Sequence, residues 1–355
     1  MRRFSAHRIV SFFLAGVIMS CKKEPVIPVS SEAVQYITLT APEGFPAIKI
    51  NSDNPLSNQG VELGRLLFYD VRLSGNNKVS CASCHSQRLA FSDGVALTNA
   101  GVSGQNLERH SPALINLAWA NGFFWDGGSK NLESQAFGPI TNMHEMQQDL
   151  NELEFELKQV PEYVKRFSDI FKDGVKATNV AKALAQFQLT LISSNSKYDK
   201  FKLGEISLNA QELRGLNLIH IKCKSCHSGE LFTDNAYHNN GIDDVYSDEH
   251  EGIHQGRYRI THDPSDLGSF KTPTLRNVML TAPYMHDGRF KNIDEVLEHY
   301  NSGLKKSSTV DPLLFQNNKQ LGVPISPKEK LDIKAFLMAL TDNDFITNKK
   351  FSNAN

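Results

Sequence analysis

Four of the five cysteines stand in two copies of one pattern, Cys81-Ala82-Ser83-Cys84-His85 and Cys223-Lys224-Ser225-Cys226-His227. Cys-x-x-Cys-His is the attachment motif of c-type haem, in which two thioethers hold the porphyrin and the adjacent imidazole ligates iron. Two disulfides are one alternative use of the four thiols. A four-cysteine zinc site is another, but it would not need a histidine directly after each pair. A thioredoxin-like pair would sit near a βαβ pattern, which this sequence lacks. The motifs therefore predict two covalently bound c-type haems, each supplying much of the core of its own domain.

The rest of the composition agrees with an exported, two-domain chain. At 355 residues, with 40% hydrophobic and 22% charged residues, it has apolar material for about two domains. A net charge of −1 gives no reason to expect nucleic acid as a partner. Arg2, Arg3 and Arg8 precede the mostly apolar stretch Ile9–Met19, the pattern of an export signal. It ends Ile18-Met19-Ser20-Cys21, which is similar to a bacterial lipobox and implies cleavage before Cys21 and lipidation of its sulfur. Beyond it, no apolar run reaches the roughly 18 residues a spanning helix needs. The expected order is signal peptide 1–20, lipidated Cys21 and polar tether to 46, first haem domain 47–204, second haem domain 205–345 and tail 346–355. The location implied is the periplasm, on a lipid anchor; a homodimer is left open.

The periodic segments are helical. Leu63–Tyr69, Asp149–Val160, Asn179–Ile192 and Asn209–Ile221 carry apolar residues at helical spacing. Ser326-Pro327-Lys328-Glu329 reads as an N-cap, a first-turn proline and a capping-box glutamate opening a last long helix. No series of alternating strands is evident, so the fold class expected is mainly α, with two cytochrome c-like haem domains. An internal repeat supports that division. Ser111-Pro112-Ala-Leu114-Ile-Asn116 is similar to Thr272-Pro273-Thr-Leu275-Arg-Asn277, Phe124-Trp125-Asp126-Gly127 to Met285-His286-Asp287-Gly288, and Lys130-Asn131-Leu132-Glu133 to Lys291-Asn292-Ile293-Asp294. The pairs 112/273, 126/287 and 131/292 share one offset of 161 residues. At that offset Tyr300 faces Pro139. Tyrosine can ligate haem iron and proline cannot, so the repeat predicts an open first haem and a closed second one.

With these motifs in place, Leu56 to Leu340 resembles the bacterial di-haem cytochrome c peroxidase/MauG family. The resemblance rests on both haem motifs, Phe124-Trp125-Asp126-Gly127, Glu133-x-Gln135-Ala136-x-Gly138-Pro139 and Thr281-Ala282-Pro283-Tyr284-Met285-His286-Asp287-Gly288. It implies that His85 is the proximal ligand of a peroxide-reactive haem and His227 that of an electron-transfer haem. It further implies that Trp125 lies between the haems, that Gln135 and Glu145 form the distal pair, and that Thr281 and Pro283 offer backbone carbonyls to one calcium ion. A carboxylate beside open iron suits general acid/base transfer of a proton between peroxide oxygens, and an amide suits hydrogen bonding to bound oxygen.

Three departures qualify the resemblance. Where peroxidase members carry a distal histidine, this chain reads Gly101-Val-Ser-Gly-Gln-Asn106, as MauG-like members do in leaving that position open. Tyr300 stands at the outer-ligand position of the second haem in place of methionine, with Met285 as the rival thioether ligand. His110 replaces the calcium asparagine, and imidazole is a poor ligand for an oxygen-preferring ion, so His110 is expected at a haem propionate instead and calcium stays open. His286 is expected to orient a propionate or water. His144, His220, His299 and the run His238, His250, His254, His262 read as ordinary surface or core residues, with metal binding by the run as the alternative. The function expected is reduction of hydrogen peroxide to water. Electrons would come from a small donor protein of cytochrome c or cupredoxin type, through the His227 haem and Trp125. The alternatives are a MauG-like oxidase of a protein or organic substrate and a non-enzymic di-haem electron carrier.

Overall fold

The structure, a computed structural model, describes residues 33–48, 52–317 and 319–353. The export signal and Cys21 lie outside the described residues. Among the described residues, twelve α-helices run in the order α1 Asn58–Phe68, α2 Leu132–Thr141, α3 Leu150–Lys158, α4 Pro161–Ile170, α5 Ala177–Leu189, α6 Lys197–Lys202, α7 Ala210–Lys222, α8 Glu249–Gly252, α9 Tyr258–Thr261, α10 Ile293–Glu298, α11 Pro327–Ala339 and α12 Asn343–Thr347. The one sheet among the described residues pairs β1 (Tyr237–His238) antiparallel with β2 (Phe270–Lys271). The fold is mainly α, as the periodicity predicts.

Each haem motif follows a helix that crosses a second helix at close range. In the first half α1 packs on α5, and a Cβ on Gly64 would lie 1.9 Å from the Ala183 carbonyl oxygen. In the second half α7 packs on α11, and a Cβ on Gly215 would lie 2.0 Å from the Asp332 carbonyl oxygen. Only glycine permits either approach. The predicted capping box forms at α11, where Glu329 N–H donates to Ser326 Oγ and Ser326 N–H to the Glu329 carboxylate. A second box, unpredicted, starts α7 through Asn209 and Glu212.

Two hydrophobic clusters result. One gathers Leu63, Leu67, Phe68, Phe91, Phe167 and Phe187. The other gathers Tyr198, Phe232, Ile333, Phe336 and Leu340. They meet at Ser193. Asn116 Nδ2 donates to the Ser193 carbonyl at 3.1 Å and Asn277 Nδ2 to its hydroxyl at 2.9 Å. Both asparagines are left-handed and each starts a 3-10 turn.

Residues near both ends of the described chain pack on the body. The tether expected to run to residue 46 is already fixed on the body from Ala33 onward: Ile37 N–H donates to Leu56 O, and Phe45 packs between the Trp119 ring and the Arg276 guanidinium. The expected tail is not free either. Phe351 and Phe345 join the first cluster, although they follow the second haem motif in sequence. Gln87 Nε2 donates to the Phe345 and Asn348 carbonyls, and Tyr69 Oη to the Phe351 carbonyl. Both sets of contacts involve aromatic partners far away in sequence, which local composition does not reveal.

Candidate functional site at the two haem motifs

One cavity of about 760 Å³ is lined by residues of both motifs, Cys84 and His85 on one side and Cys223, Cys226 and His227 on the other. Gln135, Glu145, Trp125, Met285, Tyr300, Thr281 and Pro283 also line it. Local folding aims the motifs. Cys81–Ser83 forms a 3-10 turn, and Phe91, in the left-handed region, turns its carbonyl back onto His85 Nδ1 at 2.7 Å. In the second motif the left-handed Phe232 presents its carbonyl to His227 Nδ1 at 3.2 Å. Burial lowers the pKa of both imidazoles, and the carbonyls, with those of Pro112 and Pro273, work against it. Each ring is thus neutral, with Nδ1 carrying the proton and Nε2 left to ligate, the arrangement metal-binding histidines use.

The donor set fits two covalent haems. All four motif cysteines are free and half-buried, so neither pair has closed as a disulfide. Burial pushes the thiols of Cys81 and Cys223 up to about 12 and that of Cys84 to about 11.

The first pocket is built on one face of α2. Leu132, Gln135, Gly138, Pro139 and Asn142 recur at helical spacing and line the cavity. Asn131 caps the helix by accepting from Ser134 N–H. Just past the helix, Asn142 organises the turn that carries Glu145. Its carbonyl accepts from Glu145 N–H at 3.0 Å and its Nδ2 donates to Glu145 Oε1 at 2.9 Å. Burial raises the Glu145 pKa, and the Asn142 amide partly opposes this. The stretch lacking a distal histidine packs directly on this turn: Val102 N–H donates to Glu145 O at 2.7 Å, and a Cβ on Gly101 would meet His144 O at 1.9 Å. Asn142 was not singled out from sequence, although its place three residues before Glu145 is a usable signal.

In the second pocket, α10 runs into a π-helical turn, His299–Gly303, that carries Tyr300. Tyr300 and Met285 both line the cavity and both meet Asn240, another residue that sequence reasoning missed. Burial pushes the Tyr300 hydroxyl up to about 12, against a hydrogen bond with Asn240. His299 Nε2–H donates to the Asn240 carbonyl at 3.0 Å, so it packs the turn and is no free ligand.

Trp125 lies where the two halves touch. Its Nε1–H donates to His110 O at 2.8 Å, its carbonyl accepts from Lys271 N–H at 2.8 Å, and His110 N–H donates to His286 O at 2.8 Å. His110 is held by its neighbours at both ring nitrogens. Its Nδ1 pairs with Val95 O at 2.7 Å and its Nε2 with Ser92 Oγ at 3.3 Å, so both nitrogens are committed within the protein. His286 stacks on Phe270 with ring centroids 3.6 Å apart, and burial lowers its pKa to about 3. Of the histidine run, His238 is drawn to a haem motif. It bridges Asp311 at 2.5 Å and Asp234 at 2.8 Å, and Cys226, Asp234 and His238 offer ligand atoms within 4.8 Å of one another. A hydrogen bond with Cys226, then the two carboxylates, raise the His238 pKa to about 10 against its burial.

The chain aligns with a methylamine utilization protein MauG of Methylorubrum extorquens at 37% identity over 305 residues, 84% of this chain and 82% of the relative. A family profile described as di-haem cytochrome c peroxidase matches residues 58–207. The chain belongs to the di-haem cytochrome c peroxidase family. A cytochrome c551 peroxidase of Nitrosomonas europaea is 35% identical over 71% of this chain and 76% of its own length. Among solved structures, a MauG-like protein associated with microbial copper homeostasis superposes with a TM-score of 0.82 at 30% identity, covering 90% of this chain and 99% of that one. Membership in this family makes the protein an oxidoreductase of peroxidase or oxidase type and implies two c-type haems. Among the described residues, no helix is long and apolar enough to cross a membrane.

Proposed function

We propose that this protein reduces hydrogen peroxide to two waters with two electrons from a small donor protein of cytochrome c or cupredoxin type. The observation that carries this reading is the Gln135–Glu145 pair lining the cavity beside Cys84 and His85. A pure electron carrier has no use for a proton-transfer pocket. When bound, the first haem supplies iron chemistry for peroxide cleavage. The chain's own residues do the rest. His85 holds its imidazole in one tautomer through Phe91, Gln135 offers an amide hydrogen bond to the bound oxidant, and Glu145 moves a proton at its carboxylate from one peroxide oxygen to the departing one. Trp125, whose indole N–H donates to His110 O and whose carbonyl accepts from Lys271 N–H, couples the two haems in this reading.

In this reading residues 47–204 and 205–345 are two haem domains related by the 161-residue repeat, with Tyr300 ahead of Met285 as outer ligand in the second. The chain sits in the periplasm on a lipid at Cys21. The Thr281 and Pro283 carbonyls stay candidates for calcium, with no oxygen contributed by the His110 side chain. A second reading, a MauG-like oxidase of an organic or protein substrate, is favoured by Tyr300 and by the missing distal histidine.

Mass measurement of natively exported protein tests the foundation: two haem additions are expected, one fewer in Cys84→Ala and one fewer in Cys226→Ala. Steady-state consumption of peroxide with reduced cytochrome c or an artificial donor then tests the reaction. No turnover with a competent donor overturns the peroxidase reading. Long-lived oxidised haem spectra after peroxide, discharged only by an organic or protein reductant, support the second.

A further inference from the structure

Asn240 sits between the two side chains that compete for one role. Its Nδ2 donates to Met285 Sδ at 3.3 Å; Asn240 lines the same cavity as Tyr300, and it works against burial in setting the Tyr300 hydroxyl pKa. Its Oδ1 is buried with no hydrogen-bond partner. A buried amide with one end idle is costly to keep, which points to a use for the donor end. The backbone around it is fixed from both sides. The Asn240 carbonyl meets His299 Nε2 at 3.0 Å, and the Gly241 carbonyl accepts from Lys305 N–H at 2.7 Å. Next to it, Asn239 is almost fully buried. Its Oδ1 accepts from Gly241 N–H and from Tyr246 Oη, and its Nδ2 donates to Thr309 Oγ1 at 2.8 Å. The amide is therefore held in place independently of either candidate ligand.

Met285 is restrained as well. Its φ of 75° lies in the left-handed region, unusual for a side chain of that length. Sulfur is a weak acceptor, and a thioether whose lone pair receives an N–H is a poorer ligand for iron.

We propose that Asn240 is a positioning residue that selects Tyr300 over Met285 as the outer ligand of the second haem, by tying down the methionine sulfur while offering a hydrogen bond to the tyrosine oxygen. The inference rests on the reading that one of these two side chains completes that site. It goes beyond that reading by assigning the choice to a third residue that ligates nothing. Donation to the ligating oxygen also withdraws electron density from it, so Asn240 raises the reduction potential of the second haem relative to a tyrosine-ligated site lacking the amide.

Two substitutions test this in the holoprotein. Asn240→Leu removes both polar ends. Asn240→Asp keeps the shape and removes the donor, and it guards against a packing defect in the first variant. With wild type showing a tyrosine-ligated spectrum, both variants are expected to develop the thioether-to-iron charge-transfer band in a substantial fraction of molecules. The double variant Asn240→Leu/Met285→Leu is expected to lose that band and return to tyrosine ligation at a lower potential than wild type. Wild-type spectra and potential in both single variants would overturn the inference while leaving Tyr300 ligation intact. A thioether band already present in wild type, abolished by Met285→Leu, would instead overturn the Tyr300 reading, and this inference with it. Loss of the low-spin signal in neither Tyr300→Phe nor Met285→Leu would remove both candidates.

Discussion

Glu145→Gln isolates the charge of the distal carboxylate from its shape. Glutamine keeps an oxygen that can accept from Asn142 Nδ2, a contact of 2.9 Å in the native protein. The backbone anchors, Glu145 N–H to Asn142 O and Val102 N–H to Glu145 O, do not involve the side chain at all. What the variant loses is a group able to take and return a proton. Positioned general acid/base catalysis contributes roughly 10²- to 10⁴-fold, and at about 1.36 kcal/mol per decade the barrier should rise by roughly 3–5 kcal/mol. The assay is kcat/KM for peroxide with a saturating reduced donor, beside mass and optical spectra showing both haems attached. The pH profile adds a second check. The carboxylate must be ionised to accept a proton, and burial raises its pKa against the opposing Asn142 amide. Asn142→Leu removes the opposition, so the acid limb of the profile should move to higher pH. If Glu145→Gln stays within about threefold of wild type, a margin far below the range for acid/base catalysis, Glu145 is not the proton carrier.

Other perturbations probe the scaffold. Arg276 is fully buried, with bidentate bonds of 2.9 and 2.8 Å to Asp199 and a third from Nε to Glu230 O. Breaking such a pair costs about 3–5 kcal/mol, so Arg276→Met should markedly lower the denaturant midpoint at neutral pH. Burial pushes the Asp199 carboxyl up, but Arg276 and Ser196 outweigh it and leave its pKa below the usual value. That stabilisation is present above the unfolded carboxylate pKa and disappears as pH falls through the folded one, so the deficit should shrink in acid; a pH-independent deficit refutes the ion-pair explanation. Gly64→Ala and Gly215→Ala each drive a methyl into a backbone carbonyl and should destabilise by about 1–3 kcal/mol in thermal unfolding. Trp125→Phe forfeits the 2.8 Å bond to His110 O, worth about 1 kcal/mol. It should also slow electron exchange between the haems in stopped-flow reduction, and unchanged exchange removes Trp125 from the route.

The parts of this protein that could be read from the sequence are those encoded at fixed spacing. Cys81 to His85 and Cys223 to His227 declare themselves within five residues each, and Ser326 to Glu329 announces its helix within four. Gln135 and Glu145 were singled out only through a resemblance; both line the cavity that the two motifs share. What stayed hidden depends on contacts across the chain. Phe45 looks like part of a tether until Trp119 packs against it, and Phe351 like part of a tail until it joins Phe345 and Phe91 in the first cluster. His110 is a plausible outward-facing polar group until Val95 O and Ser92 Oγ take both of its nitrogens. Asn240 lies in a Gly- and Asp-rich stretch with no periodicity, and nothing local indicates that it faces Met285 across 45 residues of chain.

The asymmetry of the two pockets follows from side chains placed on one backbone plan. Phe124 and Met285, 161 residues apart, both take the left-handed conformation, with φ of 63° and 75°. Each lies just inside a β-bridge, Phe123 to Ser129 in one half and Tyr284 to Phe290 in the other. Each is followed by a helix capped by an asparagine, Asn131 for α2 and Asn292 for α10. With the scaffold held constant, function is set by what hangs from it. In the second half, α10 continues into a π-helical turn that puts Tyr300 against the cavity, and Met285 offers a sulfur. In the first half, the matching positions are Pro139, which ligates nothing, and Phe124, whose ring tip would lie 2.8 Å from a Cβ on Gly138. Neither can close an iron site, while Gln135 and Glu145 bring the polar groups that a bound oxidant needs. In the proposed reading, the difference between a reactive site and a closed one rests on positions 124, 139, 285 and 300.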